Sequence, residues 1–489
     1  MSSRLERITS QRLESLNRIK EKGIDPYPHC YHPSHTVKEA VALFERGEKA
    51  ENISLAGRIM ARRSMGKMIF ADIRDGSAKI QLCFRYDILG EENFRLLDEI
   101  DIGDIVGAEG KLFRTKAGEI TLEVSQFTML CKSLRPLPEK WHGLVDVEKR
   151  YRQRHLDLIS NEETRNMFMS RSKIITTIRN FLDSRGFVEV ETPVLQPEAG
   201  GAAATPFTTH YQSLNNDFYL RIALELHLKR LIVGGFDKVY EIGRAFRNEG
   251  ISGKHNPEFT LLECYQAYSD YTNMMSLVEE MASYVAREVL GDTKITINGN
   301  TIDLAPPWQR VYLRDAIKNY CDIDFEDYPD ATSLRSKMEE KGMEVDPNKG
   351  RGKLVDELIS TFVEPNLVQP TFLIDYPVEM SPLAKTKRGN ERLVERFEGF
   401  INGMEIANAF TELNDPIDQR ERFKQQMREK VGDEEVEIAD EDFLEALEYG
   451  MPPTGGLGIG IDRLVMLLTG QSSIREVILF PQLKTKQDD

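Results

Sequence analysis

The sequence predicts an α+β protein with two folded domains: a small N-terminal β-barrel and a larger domain whose antiparallel sheet is flanked by helices. Three observations predict this. The chain has 489 residues, too many for one ordinary hydrophobic core. Residues 53–134 read as short strands separated by glycine turns. Beyond residue 147, longer helices alternate with hairpin-like strands, which favours segregated helices over a doubly wound sheet.

Residues 1–50 are predicted to form a helical extension. Residues 3–22 have helical periodicity and end at Gly23, and residues 36–47 form a second short helix. The first stretch is basic but has no apolar core, so we do not expect a secretory signal. No run of about 18 apolar residues occurs, which predicts that no segment spans a membrane.

Cysteine usage indicates a reducing compartment. The five cysteines lie far apart and form no Cys-x-x-Cys pair, so we expect free thiols and a cytoplasmic location. They are Cys30, Cys83, Cys131, Cys264 and Cys321. The tract holding His29, Cys30, His32 and His35 has a metal-binding composition, but its spacing fits no closed tetrahedral zinc site. We therefore predict no metal there.

Residues 51–135 are predicted to form the barrel. They contain five strand-like segments and one helix-like insert at residues 91–100, a pattern typical of the OB fold. The proline-bearing sequence RPLPEKWHG follows the last strand. It is typical of a linker, which we place at residues 136–150.

The second domain is predicted over residues 151–489. Residues 162–184 carry apolar side chains at helical spacing, and FVEVETPVL after Gly186 predicts a strand. Residues 311–364 are mostly helical and charged, as expected of an insertion in a sheet domain. The remaining elements are strands at FLIDYP, RFEGFINGMEIANAFTEL and GGLGIGID, and a last helix at DRLVMLLTG.

The formal charge of −16 is unevenly distributed. Residues 1–150 hold 25 Lys and Arg against 23 Asp and Glu, whereas the rest of the chain holds 39 against 57. A protein that wraps DNA is usually basic, so we do not expect DNA as a partner, and any nucleic-acid contact is predicted in the N-terminal third. Residues 433–448 include nine acidic residues and no basic one, which predicts a solvated surface element.

The segment FRNEGISGKHNPEFTLLE, residues 246–263, concentrates charge at a short turn between two strand-like flanks. Arginine presents a planar fork that matches carboxylate and phosphate oxygens, and nearby glutamates accept from an amine or hold a hard cation. The pattern predicts a platform for a polyanion. The phosphate-binding patterns GxxxxGK[ST] and GxGxxG after a strand are absent from the sequence. In GGLGIGIDR, glycines alternate along a strand that leads to Arg463, typical of either close ligand approach or tight helix packing.

These segments resemble the three motifs of class II aminoacyl-tRNA synthetases. RGFVEVETPVL resembles motif 1, FRNE with HNPEFT resembles motif 2 and GLGIGIDR resembles motif 3, in the expected order. A preceding OB barrel is found in the subclass for aspartate, asparagine and lysine. Six further segments are similar to those of the lysine enzymes: GRIMARRSMGKMIFADIRD, RPLPEKWHGL, GGAAATPF, RIALELHLKRL, YPVEMSPLAK and IANAFTELNDP. The resemblance covers essentially the whole chain.

The resemblance implies a lysine–tRNA ligase. Such an enzyme activates L-lysine with ATP to lysyl-adenylate, releases pyrophosphate and transfers lysine to the 3′ end of tRNA(Lys). It also implies a homodimer whose interface is built by motif 1. Two alternatives are a ligase of the same fold that lysylates a translation factor, and a catalytically silent tRNA-binding regulator. The paralogue that has the first activity lacks the barrel, whereas this chain is predicted to have one. The second alternative does not explain why the charged motif residues are retained.

The nucleotide and metal residues are implied by the same resemblance. Arg247 and Arg463 are the implied catalytic residues. The resemblance implies that Glu398 and Glu405 hold magnesium, with about three ions per subunit. Mg²⁺ is usually held by carboxylates and substrate phosphates together. A turn at Asn402-Gly403 is predicted to bring the two glutamates together. The implied ATP residues are Arg247, Glu249, His255, Asn256, Phe259, Glu398 and Arg463.

The lysine pocket is implied to enclose an ammonium group with carboxylates, because a desolvated cation needs such partners. Its implied residues are Gly201, Glu225, Arg247, Glu263, Tyr265, Asn408, Phe410, Glu412 and Gly458. On the barrel, Arg63, Phe70 and Gln81 are implied to bind the anticodon by stacking on bases and reading their edges. A place in the barrel core is the alternative for Phe70, because strand residues alternate between two faces.

Overall fold

The structure, a computed structural model, divides the chain into two compact units, Met1–Val145 and Asp146–Asp489. It describes residues 4–138, 146–198, 200–201, 204–297, 299–429 and 440–484. Within these ranges no helix is both long and apolar enough to cross a membrane. All five cysteines are free thiols, as the sequence predicts.

The first unit is built around a closed barrel with strand order β1-β2-β3-β5-β4. The barrel pairs are antiparallel except β3 with β5, which is parallel. Its elements are α1 (Arg4–Glu21), α2 (Val37–Glu45), β1 (Ile53–Met65), β2 (Met68–Arg74), β3 (Lys79–Arg85), α3 (Tyr86–Leu96), β4 (Ile105–Arg114) and β5 (Ile120–Cys131). The predicted five-stranded barrel is confirmed.

The second unit is built on a large mixed sheet with strand order β14-β15-β17-β18-β19-β11-β10-β6, and β16 pairs with β17 at its side. Its longer central strands are antiparallel, which confirms the predicted antiparallel sheet. Two smaller sheets have the orders β7-β9-β8 and β12-β13. The strands of the second unit are β6 (Val188–Glu189), β7 (Leu195–Gln196), β8 (Thr208–Tyr211), β9 (Asn216–Leu220), β10 (Lys238–Phe246), β11 (Glu258–Ala267), β12 (Lys294–Ile297), β13 (Asn300–Asp303), β14 (Gln309–Tyr312), β15 (Thr371–Pro377), β16 (Thr386–Lys387), β17 (Asn390–Ile401), β18 (Met404–Thr411) and β19 (Thr454–Gly460).

Three helices, α6 (Glu162–Asp183), α8 (Tyr271–Leu290) and α14 (Ile461–Thr469), cover one face of this sheet, and shorter helices pack on parts of the other face. The main core joins side chains of the sheet to those of α6, α8 and α14, for example Ile178, Met281 and Val465. The helices of the unit are α4 (Val147–Arg152), α5 (Arg154–Ser160), α6 (Glu162–Asp183), α7 (Glu225–Val233), α8 (Tyr271–Leu290), α9 (Leu313–Cys321), α10 (Ala331–Glu340), α11 (Arg351–Leu358), α12 (Pro416–Glu429), α13 (Glu441–Glu448), α14 (Ile461–Thr469) and α15 (Ile474–Val477).

The prediction of one strand at FVEVETPVL is wrong. Only Val188–Glu189 and Leu195–Gln196 are strands there, and they belong to different sheets. Between them Thr192 turns toward Glu241, which accepts hydrogen bonds from the Thr192 backbone N–H at 3.1 Å and from its hydroxyl at 2.7 Å. Pro193 has no N–H to offer a strand ladder, so the chain bends between the two short pairings.

Two other predictions fall partly outside the described residues. Residues 139–145 of the linker and residues 433–439 of the acidic run lie there. The rest of the acidic run forms α13, in which Phe443, Leu444 and Leu447 are buried. This part is therefore an amphipathic helix packed on the domain, not the purely solvated element that its charge predicts.

Candidate active site

A cavity of about 1120 Å³ opens on the sheet face opposite the covering helices. The alternation of side chains along β11 produces this division. Leu262 and Cys264 belong to the helix-side core, whereas Leu261, Glu263 and Tyr265 line the cavity. The cavity floor is thus a rigid sheet, and the residues that reach it are fixed by strand register.

Glycines on β19 leave the middle of the cavity floor free of side chains. Gly458 lies between Glu263 of β11 and Asn408 of β18 in the register of the sheet. A Cβ at Gly456 would lie 2.6 Å from Tyr265 Cε1 and 2.9 Å from the carboxylate carbon of Glu412. Gly456 therefore leaves the space that the Glu412 carboxylate occupies, which favours the ligand-approach interpretation of the glycine pattern.

Three buried glutamates, Glu225, Glu263 and Glu412, converge at one end of the cavity. Glu263 accepts hydrogen bonds from the Leu224 backbone N–H and the Tyr265 hydroxyl, both at 3.0 Å. Burial raises the pKa of Glu263 to about 7, and the negative charge of Glu225 adds to the rise. So many desolvated carboxylates together create a strong attraction for cationic groups.

Glu412 is the most completely buried of the three. Its side chain is fully buried, and burial raises the pKa of its carboxyl well above the usual range, although Lys229 opposes the rise. One carboxylate oxygen lies within ion-pair distance of the Lys229 ammonium. Within the described residues, Oε1 accepts no hydrogen bond. A buried acceptor left open toward a cavity indicates a ligand that donates to it.

The middle of the cavity carries a cation. The Arg247 guanidinium makes one hydrogen bond to a described residue, to the Ile222 carbonyl at 3.4 Å, and its Cζ lies 5.2 Å from the centroid of the Phe259 ring. Burial lowers the pKa of Arg247, and the nearby carboxylates Glu249, Glu405 and Glu263 oppose that shift. Most of its fork is available to an anionic group.

A second cationic group lies at the far end. Arg463 donates to the Glu405 carboxylate at 3.1 Å and to the ring of His255 at 3.3 Å. Because an arginine only donates, His255 Nε2 accepts, and the ring proton is on Nδ1, 2.9 Å from the Ser252 hydroxyl. Lys254 donates to the Gly403 carbonyl at 3.2 Å, so the loop between β10 and β11 contacts the turn between β17 and β18.

Two other residues assigned to the nucleotide lie on the same loop. Glu249 lines the cavity with an exposed side chain. Asn256 also lines it but is buried, and its side-chain amide binds backbone groups, donating to the Glu258 carbonyl at 2.5 Å and accepting from Gln482 N at 3.3 Å. The Asn256 contacts fix the loop end in place.

Glu398 and Glu405 share one face of the β17–β18 hairpin. The predicted turn is present, with Asn402 and Gly403 both at positive φ, the geometry of a two-residue hairpin loop. An irregularity near Ile406 then sets Glu405 opposite Phe400 while Glu398 stands opposite Asn408. Glu405 thereby joins Asn408 on the cavity side, although three positions separate them.

The donor set of this pair fits magnesium. Burial raises the pKa of Glu398 to about 7, Arg396 opposes the rise, and the negative charge of Glu405 adds to it. A cation would relieve this repulsion. Mg²⁺ needs only one or two carboxylates when substrate phosphates complete its shell, so Glu398 and Glu405 suffice. Glu398 also accepts from the Tyr376 hydroxyl at 2.8 Å, which orients it.

On the barrel, Arg63, Phe70 and Gln81 lie on one outer face. Arg63 pairs directly with Phe70, and Gln81 pairs with Asp72 on the neighbouring strand. Phe70 is half-buried and lies outside the barrel core, whose β2 members are Ile69, Ala71 and Ile73. Gln81 is buried, and its Oε1 accepts from the Thr121 hydroxyl at 3.1 Å.

Comparison with known proteins identifies this combination of barrel and cavity. Residues 146–484 match the family described as tRNA synthetases class II (D, K and N), and residues 53–130 match the OB-fold nucleic acid binding domain. The chain belongs to the class II tRNA synthetases. Similar members of the family are lysine–tRNA ligases of Dehalococcoides mccartyi (59% identical over 490 residues, 99% of this chain and 98% of the relative), Moorella thermoacetica (57% over 482 residues, 98% of each) and Pelotomaculum thermopropionicum (55% over 486 residues, 99% and 96%).

Two charged residues at this site, Arg396 and Lys229, were missed by the sequence analysis. Arg396 donates to Asn408 Oδ1 at 3.0 Å and forms an ion pair with Glu398. It stands two positions before Glu398 in a strand, so the same-face rule was a signal for it. Lys229 lies one helical turn after Glu225, a spacing that also places the two side chains together.

One tract that the synthetase motifs do not use is the histidine cluster near residue 30. Cys30 is exposed, and His35 Nδ1 lies 2.8 Å from the Ser34 hydroxyl. Within the described ranges, no group of three or more His, Cys, Asp or Glu side chains is placed to hold a metal ion.

Proposed function

We propose that the chain is a lysine–tRNA ligase that forms lysyl-adenylate from L-lysine and ATP and then transfers lysine to tRNA(Lys). The observation that carries this is the set of three buried carboxylates, Glu225, Glu263 and Glu412, at one end of a cavity with arginines at its centre and far end. A substrate with two ammonium groups and one carboxylate matches this order of charges. The relatives named lysine–tRNA ligase, similar over nearly the whole chain, support it.

The proposed lysine site has a place for each group. Glu225 and the backbone at Gly201 bind the α-ammonium group, whereas Glu412 and Glu263 face the ε-ammonium group. Phe410 packs along the aliphatic stem. These roles are supported by the burial of the glutamates and by the cavity that all five residues line. A neutral side chain would leave Oε1 of the buried Glu412 without a donor, which is costly.

The proposed lysine site is completed by residues along the floor. Tyr265 holds Glu263 through its hydroxyl, and Asn408 joins Arg247 on the carboxylate of the substrate. Gly458, between Glu263 and Asn408 in the sheet register, leaves room for the substrate above β19.

The first chemical step joins the lysine carboxylate to the α-phosphate of ATP. A carboxylate oxygen attacks the α-phosphorus, the bond to pyrophosphate breaks, and pyrophosphate leaves with its charge. The enzyme supplies no covalent nucleophile, so positioning and charge neutralisation carry the catalysis. We assign Arg247 to the reacting carboxylate and α-phosphate, because its cationic fork lies between the carboxylate pocket and Arg463. In the transfer step a 3′-terminal hydroxyl of the tRNA attacks the carbonyl carbon, an ester bond forms and the acyl–phosphate bond breaks. AMP leaves with the bonding electron pair, and the hydroxyl proton is released.

The proposed ATP site occupies the rest of the cavity. Phe259 stacks on adenine, Glu249 reads its amino group, and Arg463 with His255 binds the phosphates. Asn256 holds the end of the loop that carries Glu249 and His255. Glu398 and Glu405 would hold magnesium, which would neutralise phosphate charge. The family resemblance implies about three ions per subunit.

The barrel is proposed to bind the anticodon of tRNA(Lys). Its family is that of nucleic acid binding OB folds, and Arg63, Phe70 and Gln81 share one outer face. A half-buried aromatic ring outside the core suits base stacking. We assign residues 51–135 to this domain and residues 151–489, with the helical insertion at about 311–364, to the catalytic domain.

A cytoplasmic homodimer completes the proposal. The motif 1 region carries exposed apolar side chains at Val188, Val194 and Leu195, and Met169 and Phe480 are also exposed. Exposed apolar residues in one stretch are typical of a surface that another subunit covers. Five free cysteines suit a reducing cytoplasm. Sedimentation equilibrium tests the dimer.

The experiment that tests the function is ATP–pyrophosphate exchange with single amino acids. We expect exchange with lysine and none with aspartate or asparagine. Glu412→Gln is expected to raise KM for lysine about 30-fold or more, because removing one partner of a buried charge pair is costly. Glu279→Gln is the matched control, since Glu279 is also buried but binds Trp308 N and Arg310 outside the cavity. Exchange with aspartate alone would overturn the assignment.

A further inference from the structure

Lys229 is a buried cation behind the lysine pocket whose purpose the proposed roles leave open. It lies on α7, one helical turn after Glu225, and its side chain is fully buried. Its ammonium group forms ion pairs with both Glu225 and Glu412. Building on the proposed function, we propose that Lys229 is a positioning and specificity-determining residue that holds these two carboxylates at the spacing of the two ammonium groups of L-lysine.

The two carboxylates need a link because they belong to different elements. Glu225 begins α7, whereas Glu412 follows the end of β18 and bridges to Ala384. Among the described residues, Lys229 is the one side chain that forms ion pairs with both. Because one nitrogen contacts both carboxylates, the distance between the two contacting oxygens cannot exceed the sum of the two ion-pair distances.

Lys229 does not fill the substrate's place. Glu225 and Glu412 are among the described residues that line the cavity, whereas Lys229 is not. Its ammonium nitrogen lies 5.4 Å from the centroid of the Phe410 ring and 5.8 Å from that of the Phe443 ring. Aromatic rings stabilise a cation and exclude water from it. The ammonium is therefore held from behind, and the carboxylates keep their cavity side for the substrate.

The charges of the pocket support a permanent role for this cation. Although burial opposes its charge, Glu225 and Glu412 raise the pKa of Lys229, so it stays protonated. With Glu263 included, three carboxylates face one built-in ammonium, which leaves two formal negative charges when all are ionised. The two ammonium groups of L-lysine balance these charges, while its carboxylate is balanced by Arg247. A low-dielectric site favours such neutrality.

A fixed distance between the two carboxylates lets the pocket discriminate between diamino acids of different chain length. A diamino acid shorter by one methylene reaches one carboxylate but not both, and a longer one must bend. An apolar pocket alone discriminates one methylene by only about 10–200-fold. Two carboxylates fixed by Lys229 add the cost of a buried charge left without its partner.

The test compares Lys229→Met and Lys229→Arg in ATP–pyrophosphate exchange without tRNA. Lys229→Met keeps the shape and removes the charge, and we expect KM for lysine to rise about 30-fold or more while KM for ATP stays within about twofold. Discrimination against ornithine and homolysine is expected to relax together. Lys229→Arg keeps the charge but has a larger head group that separates the carboxylates, so discrimination against homolysine is expected to fall while ornithine stays excluded.

The matched control is Lys132→Met. Lys132 is also buried and forms ion pairs with two carboxylates, Asp101 at 2.6 Å and Asp104 at 2.9 Å, but it belongs to the barrel unit. Its substitution is expected to lower the melting temperature and leave KM for lysine unchanged.

The outcomes separate the inference from the function on which it rests. Absence of lysine-dependent exchange in the wild type would refute the proposed function. Exchange in the wild type together with an unchanged lysine KM in Lys229→Met, or a parallel rise in both KM values, would refute the role of Lys229 alone. If Lys229→Met does not fold, an unchanged homolysine discrimination in Lys229→Arg decides against the inference.

Discussion

Replacement of Gly456 by alanine tests the design of the cavity floor most directly. An added Cβ would lie 2.6 Å from Tyr265 Cε1, and 3.4 Å is the near limit of ordinary contact. The Tyr265 ring would have to retreat by about 0.8 Å, and the Glu412 carboxylate by more. Neither group moves easily, because the Tyr265 hydroxyl donates a hydrogen bond to Glu263 and Glu412 forms an ion pair with Lys229.

The expected cost appears in both stability and lysine binding. Overpacking of a closed core costs about 1–3 kcal/mol of unfolding free energy. A displacement of about 1 Å at a reacting or binding group costs on the order of 100-fold, so KM for lysine in ATP–pyrophosphate exchange is expected to rise about 10–100-fold. Since the clash lies at the carboxylate end of the cavity, KM for ATP is expected to stay within about twofold.

Gly458→Ala is the matched control for folding. It lies two residues along the same strand, and its added Cβ would meet nothing closer than 3.8 Å. We expect its unfolding free energy in urea to differ from the wild type by less than about 0.5 kcal/mol. Equal stability of the two alanine variants, or an unchanged lysine KM in Gly456→Ala, would refute the argument that Gly456 makes room for Glu412.

Two further predictions concern pH and the barrel. Because burial raises the pKa of Glu263 to about 7, this carboxyl is protonated at lower pH and must lose its proton to pair with an ammonium group. KM for lysine is therefore expected to fall as pH rises through about 7. Glu263→Gln is expected to remove this midpoint, and its persistence would assign the titration elsewhere. Phe70→Ala is expected to weaken tRNA(Lys) binding by about 1–3 kcal/mol in a filter-binding assay, and an equal loss in tRNA-independent exchange would argue against an anticodon role.

The parts of the fold that follow local rules were predictable from the sequence. The β17–β18 hairpin is an example, since Asn402-Gly403 is a strong turn signal between apolar strands, and both residues adopt positive φ. The helix Glu162–Asp183 is another, because its apolar side chains recur at helical spacing. The residues that the synthetase resemblance assigns to lysine also come together around one cavity.

The features that the sequence did not predict depend on partners distant in the chain. FVEVETPVL has strand composition, yet Thr192 is drawn away by Glu241. The net charge of the acidic run predicts a solvated element, yet α13 buries its Phe443 and Leu447. The sequence around Lys229 indicates an ordinary helical lysine, and only the fold brings Glu412 into contact with it. In each case a tertiary contact overrides the local pattern.

The arrangement of charges suits a rigid sheet as the floor of the proposed site. Adenylate formation requires the lysine carboxylate and the α-phosphate, both anionic, to meet in one place, and their repulsion is overcome only by fixed cations. Glu263, Gly458, Asn408 and Glu398 stand side by side on four neighbouring strands. Strand register therefore sets the distance between Glu263, a proposed lysine ligand, and Glu398, a proposed magnesium ligand. Because that distance is set by backbone hydrogen bonds, we expect the proposed reaction at Arg247 to need no large rearrangement of the sheet.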